Sequence, residues 1–359
     1  PPPPPPVPRF FFQLFSLALV MHYLPAFKGD MPEWLAYTLS VNSLVYQTLD
    51  NMDGKQARRT GNSSPLGLLF DHGLDTLNVA ICCVCLAAVL QSGVGGALAL
   101  VWICGMLGMY FSAWEQWCTG EFALPIVNGP NEGVLVGAGL IVASSWYGPA
   151  LWDGPLVGLL PAGVATGLPL PHALSRLTVF EGQICLSLAV AGSALVANIW
   201  NAKWSAHRAE VLGLGFVPAV LRLVPFCACV ALYVGWGFLS GVFHRETWLF
   251  LLAGTLFYWR ATALLMLSHM TGQPFEPHRH AWMLPFFVAP LLGVCRVLGL
   301  LPSGLGCCLV PSDGDILKGL CAWASLVCSH AAHGLISEFC DVLGIQCFRV
   351  KPVGHPKAA

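Results

Sequence analysis

Long apolar runs separated by short polar turns recur along the whole chain. A helix needs about 20 predominantly apolar residues to cross a bilayer, and reading for such runs predicts about ten spans. They lie near 10–27, 34–59, 66–91, 96–117, 133–151, 176–202, 211–241, 246–270, 280–301 and 316–345. The first is short and is interrupted by Gln13 and His22. The stretch 152–170, rich in Gly and Pro, reads as a loop or re-entrant piece. Polar stretches are brief, at 52–64, 203–210, 271–281 and 351–359, and none is large enough for a soluble domain. The pattern therefore predicts an all-α, polytopic transmembrane bundle. A proline-rich extended tail covers 1–9, one membrane-embedded domain covers 10–350, and a short tail covers 351–359.

Composition overrides what length alone suggests. A chain of 359 residues suits two soluble domains. Yet 56% of the residues are hydrophobic, only 10% are charged, and the mean hydropathy is +0.69. Soluble domains carry about 25% charged residues, so this chain cannot cover its surface with polar groups in water. The net charge of −1 gives no footprint for nucleic acid. Many of the 15 cysteines, such as Cys82, Cys83, Cys85, Cys227 and Cys229, lie in apolar runs without paired zinc spacing. They read as small apolar fillers. The chain starts at Pro1 rather than Met, which reads as a fragment or a misassigned start, and its first residues lack the basic region and cleavage site of a signal peptide.

Chemistry concentrates between the second and third spans. Asp50, Asp53, Gly54, Ala57 and Arg58 fall at i, i+3, i+4, i+7 and i+8, one face of a helix. Gly67, Asp71 and Asp75 fall at i, i+4 and i+8 on a second helix. Ser64 before Pro65 is an N-cap and first-turn pair for that helix. Two helices joined by a short turn would thus set four carboxylates facing each other. In a low dielectric such a group repels itself unless cations sit within it. Hard oxygen ligands suit Mg²⁺ or Mn²⁺, and two ions about 3.5–4 Å apart can clamp a phosphoryl transfer. The small residues leave room for a flat ligand, and Arg58 is placed to meet a phosphate. The competing reading is a set of buried ion pairs, with Lys55, Arg58 and Arg59 as partners, or the proton relay of a cation transporter. Excess Lys and Arg marks the cytoplasmic side, so this connection is expected to face the cytosol, where the Asn62-Ser63-Ser64 sequon stays unmodified.

These eight positions reproduce D-x2-D-G-x2-A-R-x8-G-x3-D-x3-D, and the chain resembles the CDP-alcohol phosphotransferases. The text DGKQARR from Asp53 to Arg59, Ser64 to Gly67, and Phe70-Asp71-His72-Gly73 is similar to the choline and ethanolamine branch. Looser matches run from Trp114 to Gly120, from Ser268 to Thr271 and at Cys347-Phe348-Arg349. The resemblance implies a membrane bundle whose first six spans form the catalytic core and whose last pairs support a homodimer. Asp50, Asp53, Asp71 and Asp75 would hold two Mg²⁺ or Mn²⁺ ions. Gly54, Ala57, Arg58 and Gly67 would line the CDP pocket. The donor would be CDP-ethanolamine or CDP-choline, the acceptor diacylglycerol, and the site the endoplasmic reticulum or Golgi membrane. His72 with Glu132 is the favoured general base, because metal-bound Asp75, the other candidate, is a weak one. The N-terminus departs from the family. Members carry an interfacial helix and a Pro-Asn entry to the first span, where this chain has prolines and then Arg9-Phe10-Phe11-Phe12.

Other polar residues are less specific. His269, His278 and His280 read as an interfacial loop at lipid head groups rather than a metal site. Trp102, Trp114, Trp117, Trp146 and Trp152 read as aromatic belts at span ends. Glu181, Lys203, Arg222 and Arg260 lie in or beside later spans, and spacing selects none of them as a phosphate ligand. Lys357 could form part of a retrieval signal. Two rival functions remain at this level. One is a CDP-alcohol phosphotransferase that uses a soluble alcohol such as inositol or glycerophosphate. The other is the cation transporter, which leaves the Gly and Ala spacing unexplained.

Overall fold

The computed structural model describes residues 7–61, 63–121, 133–159, 176–300 and 311–344. Among these, ten helices of at least 14 residues carry the fold. They are α1 (Val7–Tyr23), α2 (Glu33–Thr60), α3 (Pro65–Val89), α4 (Gly96–Thr119), α5 (Val134–Tyr147), α6 (Val179–Lys203), α7 (Val224–Leu239), α8 (Thr247–Thr271), α9 (Leu284–Val297) and α10 (Asp313–Leu343). Each matches one predicted span. Six stretches are long and apolar enough to cross a membrane: α3, α4, α6, Phe216–Leu239 ending in α7, α8 and α10. α5 and α9 are shorter apolar helices. α2 has the length but carries the acidic and basic residues in its second half. α1 begins at Val7, inside the stretch expected to be an extended tail. Of the Gly- and Pro-rich loop, 160–175 lie outside the described residues. The part before them folds into short turns at Ala150–Asp153 and Leu156–Leu159.

Local chemistry sets the helix ends that matter for the site. Gly61 closes α2 at φ 66°, and its N–H caps the carbonyls of Ala57 and Arg58. Glycine takes this left-handed conformation without a Cβ penalty. α3 then starts as expected, with Ser64 Oγ accepting from the Gly67 N–H at 3.1 Å and Pro65 in the first turn. α6 starts from a capping box between Thr178 and Glu181.

α8 is the most buried span and packs on α3, α4 and α10. Small residues let the helices close on bulky rings. A Cβ on Gly254 would overlap the Trp102 ring, and one on Gly293 would overlap Trp236. Gly105 abuts Cys83 of α3. Tyr110 and Phe226 stack with ring centroids 3.7 Å apart, joining α4 to α7. The aromatic-belt expectation is corrected here. Trp102, Trp114, Trp117 and Trp152 are fully buried, and only Trp146 of the five is exposed. A ring at a span end still lies between helices when the bundle is wide enough to surround it. Three of the buried indoles find acceptors: Thr255 at 3.2 Å, the Ala219 carbonyl at 3.1 Å and Ser144 at 2.9 Å.

This packing sets a graded expectation. Gly254→Ala forces a methyl group against Trp102 and should cost about 1–3 kcal/mol. Gly235→Ala, with nothing within 4 Å of the new atom, should change little. Thermal unfolding of both variants in detergent measures the difference.

Candidate active site

α1 packs against both α2 and α3 and brings its first turn to the acidic faces of the two helices. Arg9 in that turn is 2% exposed. Its guanidinium lies 2.8 Å from Asp50 Oδ1 and 2.5 Å from Asp71 Oδ1, and it also pairs with Asp53. One oxygen from each of Asp50, Asp53 and Asp71 falls within 4.8 Å of the others. The two stripes read from the sequence thus converge, and a cation sits at their focus. Among the described residues, Lys55, Arg58 and Arg59 form no salt bridge to these acids; the partner is Arg9, 41 positions before Asp50.

Asp75 lies one turn further along α3 and accepts a hydrogen bond from Tyr46 Oη at 2.8 Å. Tyr46 is on α2, one turn before Asp50, and the Arg9 guanidinium lies 5.3 Å from its ring centre. Tyr46 therefore ties the fourth carboxylate to the same group. The donor set fits a hard divalent cation. Asp50 Oδ1 and Arg9 Nε are buried without an aligned hydrogen bond, although Asp50 Oδ1 is close to Arg9 Nη1. The guanidinium supplies charge there without matching the directions of the oxygens, which a small oxygen-seeking ion would satisfy.

Gly54, Ala57 and Arg58 occupy the next turns of α2. A Cβ on Gly54 would meet only the Arg58 guanidinium, 3.5 Å away, so this face of α2 is open. Gly67 is exposed in the first turn of α3. His72 is half-buried beside Asp71 and within electrostatic reach of His269 on α8. Glu132, its expected partner, lies outside the described residues, as do Asn62, Lys357 and 347–349. The expected histidine group divides. His269 lies in the last turn of α8, whereas His278 and His280 lie in the connection after α8.

Arg9, Tyr46, His269 and Trp259 are the residues that sequence reading did not place at the site. Trp259 Nε1 donates to the Gly73 carbonyl at 3.0 Å and pins α3 to α8 beside His72. Tyr46 could have been found, since it shares the helical face of Asp50 at i−4. Arg9 carried a weaker signal, a lone cation at the head of an apolar run. The Trp114–Gly120 stretch forms a separate polar lock, in which Asn201 Nδ2 donates to buried Glu115 at 2.7 Å.

The profile of the CDP-alcohol phosphatidyltransferase family matches residues 9–125, which hold Arg9 and all four carboxylates. The chain is 31% identical over 354 residues to cholinephosphotransferase 1 of Saccharomyces cerevisiae, covering 97% of this chain and 86% of the relative. It is 27% identical over 361 residues to choline/ethanolaminephosphotransferase 2 of Arabidopsis thaliana, covering 98% and 87%. A Dictyostelium discoideum protein described as an uncharacterized class-I member of the family is 27% identical over 351 residues, covering 94% and 84%. With its motif gathered on two facing helices of an apolar bundle and these three relatives matched over 84–87% of their lengths, this chain is an integral membrane transferase that belongs to the CDP-alcohol phosphatidyltransferase family.

Proposed function

We propose that the chain moves phosphoethanolamine or phosphocholine from its CDP ester to the hydroxyl of diacylglycerol, releasing CMP. The observation that carries this reading is the convergence of Asp50, Asp53 and Asp71 around one buried cation, beside the open face of Gly54, Ala57 and Arg58. The names of the yeast and Arabidopsis relatives support the choice of head group. Asp50, Asp53, Asp71 and Asp75 would hold two Mg²⁺ or Mn²⁺ ions, which when bound neutralise the donor's diphosphate and polarise the phosphorus under attack. Arg58 meets a phosphate of the nucleotide, and Gly54, Ala57 and Gly67 leave space for the cytidine. A His72 imidazole nitrogen takes the proton of the diacylglycerol hydroxyl as its oxygen attacks the β-phosphorus. The bond from that phosphorus to the CMP oxygen breaks, and CMP leaves. Glu132 orients His72 in this reading. Tyr46 holds the Asp75 carboxylate in place. Lys55, Arg58 and Arg59 direct the site to the cytosolic face of the endoplasmic reticulum or Golgi membrane. Residues 10–350 act as one catalytic domain, and the last helices support a homodimer.

The direct test is CMP release by purified protein in detergent with diacylglycerol and Mn²⁺, comparing CDP-ethanolamine with CDP-choline. Release that needs both metal and diacylglycerol is expected. Metal flux in liposomes without CMP release would overturn the enzyme reading in favour of a transporter.

Three variants sharpen it. Asp71→Asn should abolish turnover while the protein stays folded and inserted; full activity would remove Asp71 from the metal site. His72→Ala should lower kcat by about 10²–10⁴-fold with a far smaller change in donor binding. Unchanged turnover would transfer the proton to Asp75. Arg9→Gln should destabilise the metal-free protein by roughly 3–5 kcal/mol, since three carboxylates lose their buried partner. The same change should tighten Mn²⁺ binding followed by electron paramagnetic resonance, because Arg9 and the ion compete for one set of oxygens.

A further inference from the structure

Of the four polar residues that spacing could not distinguish, the structure accounts for three. Glu181 closes a capping box, Arg222 donates to the carbonyls of Phe275 and Pro218, and Lys203 lies over Trp200 and Trp204. Arg260 is different. It follows Trp259 on α8, and successive helical residues point roughly 100° apart, so it is directed away from the α3 contact. Its guanidinium lies 5.2 Å from the ring centre of Trp282, and its Nε is buried without a hydrogen-bond partner. Among the described residues no carboxylate pairs with it. An arginine within a membrane helix that lacks a counter-anion calls for one from outside the chain.

A cavity of about 480 Å³ opens beside it, between α8, the connection before α9, and α10. Arg260, Trp282, Trp323, Leu326 and His330 line it, and no acidic residue does. Trp282 Nε1 is a second buried donor without an acceptor. Trp323 Nε1 is already used, donating to the Trp282 carbonyl at 3.0 Å. The outer wall is apolar and lies on the surface of the chain, with Leu326 63% exposed and Trp323 36% exposed. The cation at this opening is the Arg260 guanidinium, and no carboxylate lines the wall to balance it. Outside is a surface suited to an acyl chain.

We propose that this cavity binds the phosphate of a membrane phospholipid with a net negative head group. The phosphate oxygens accept from the Arg260 guanidinium, and an acyl chain lies along Leu326 and Trp323. A zwitterionic lipid is disfavoured, because its ammonium finds no carboxylate in the wall. The site uses none of the carboxylates between α2 and α3 and stands whether or not the proposed transfer reaction is correct.

The test is native mass spectrometry of the full chain in detergent with phosphatidylglycerol, phosphatidylcholine or inorganic phosphate added. Wild type is expected to retain phosphatidylglycerol in preference to phosphatidylcholine. Arg260→Gln should weaken that retention roughly tenfold, the loss of a charged hydrogen-bond partner. Arg260→Lys keeps the charge and loses the planar fork, so it should weaken retention by a smaller factor. It also decides the matter should Arg260→Gln fail to fold. Equal retention of both lipids by wild type, or unchanged phosphatidylglycerol retention in the variants, would overturn the proposal. Displacement of the lipid by inorganic phosphate at equal concentration would overturn the assignment to a lipid in favour of a free anion.

Discussion

Four carboxylates held at the facing ends of two helices constrain everything around them. Like charges at this separation in a weakly polarisable medium drive the helices apart or take up protons unless positive charge lies between them. In this structure that charge is the Arg9 guanidinium, held by three acids from two helices. The surrounding architecture follows from keeping that group together. Gly61 and Ser64 make the turn that returns the chain, Tyr46 secures Asp75, and Trp259 anchors α3 to the most buried helix. This end of the bundle is thus built to tolerate concentrated negative charge, as the proposed metal-dependent transfer would require.

The rest of the bundle supplies stiffness. Lipid tails are as apolar as the helix surfaces, so association depends on close packing and hydrogen bonds rather than on exclusion of water. The chain meets this with glycines under aromatic rings, as at Gly254 beneath Trp102 and Gly293 beneath Trp236. Buried indoles bonded to neighbouring helices add direction, as Trp114 does to Ala219. α6 is the contrast, since most of its surface is exposed, and the bond from Asn201 to Glu115 adds to the packing of Leu195 and Ile199 on the core. The same logic explains why an unsatisfied Arg260 stands out. In a bundle where most polar groups are partnered, a cation beside one cavity whose wall holds no carboxylate points to a ligand that brings its own oxygens.

The ten helices and the position of the acidic turn were legible in the primary structure because both depend on local rules. A run of apolar residues must be helical in lipid, since each backbone group needs a partner within its own segment. The 3.6-residue period places Asp50 and Asp53, and likewise Asp71 and Asp75, on single faces without knowledge of the fold. Ser64, Pro65 and Gly61 mark helix ends through chemistry within a few residues. On these grounds the sequence by itself determined the class of architecture, the two acidic stripes and the turn that joins them.

Only tertiary structure decided which groups meet those stripes. Arg9 is separated from Asp50 by 41 positions and from Asp71 by 62, and nothing in the periodicity of α1 says where its first turn will dock. The division of His269 from His278 and His280, the burial of tryptophans expected at the interface, and the isolation of Arg260 beside Trp282 have the same origin. Each depends on how far a helix is shifted and rotated against its neighbours. That is set by the shapes of many side chains packed together, and no short stretch of sequence contains it.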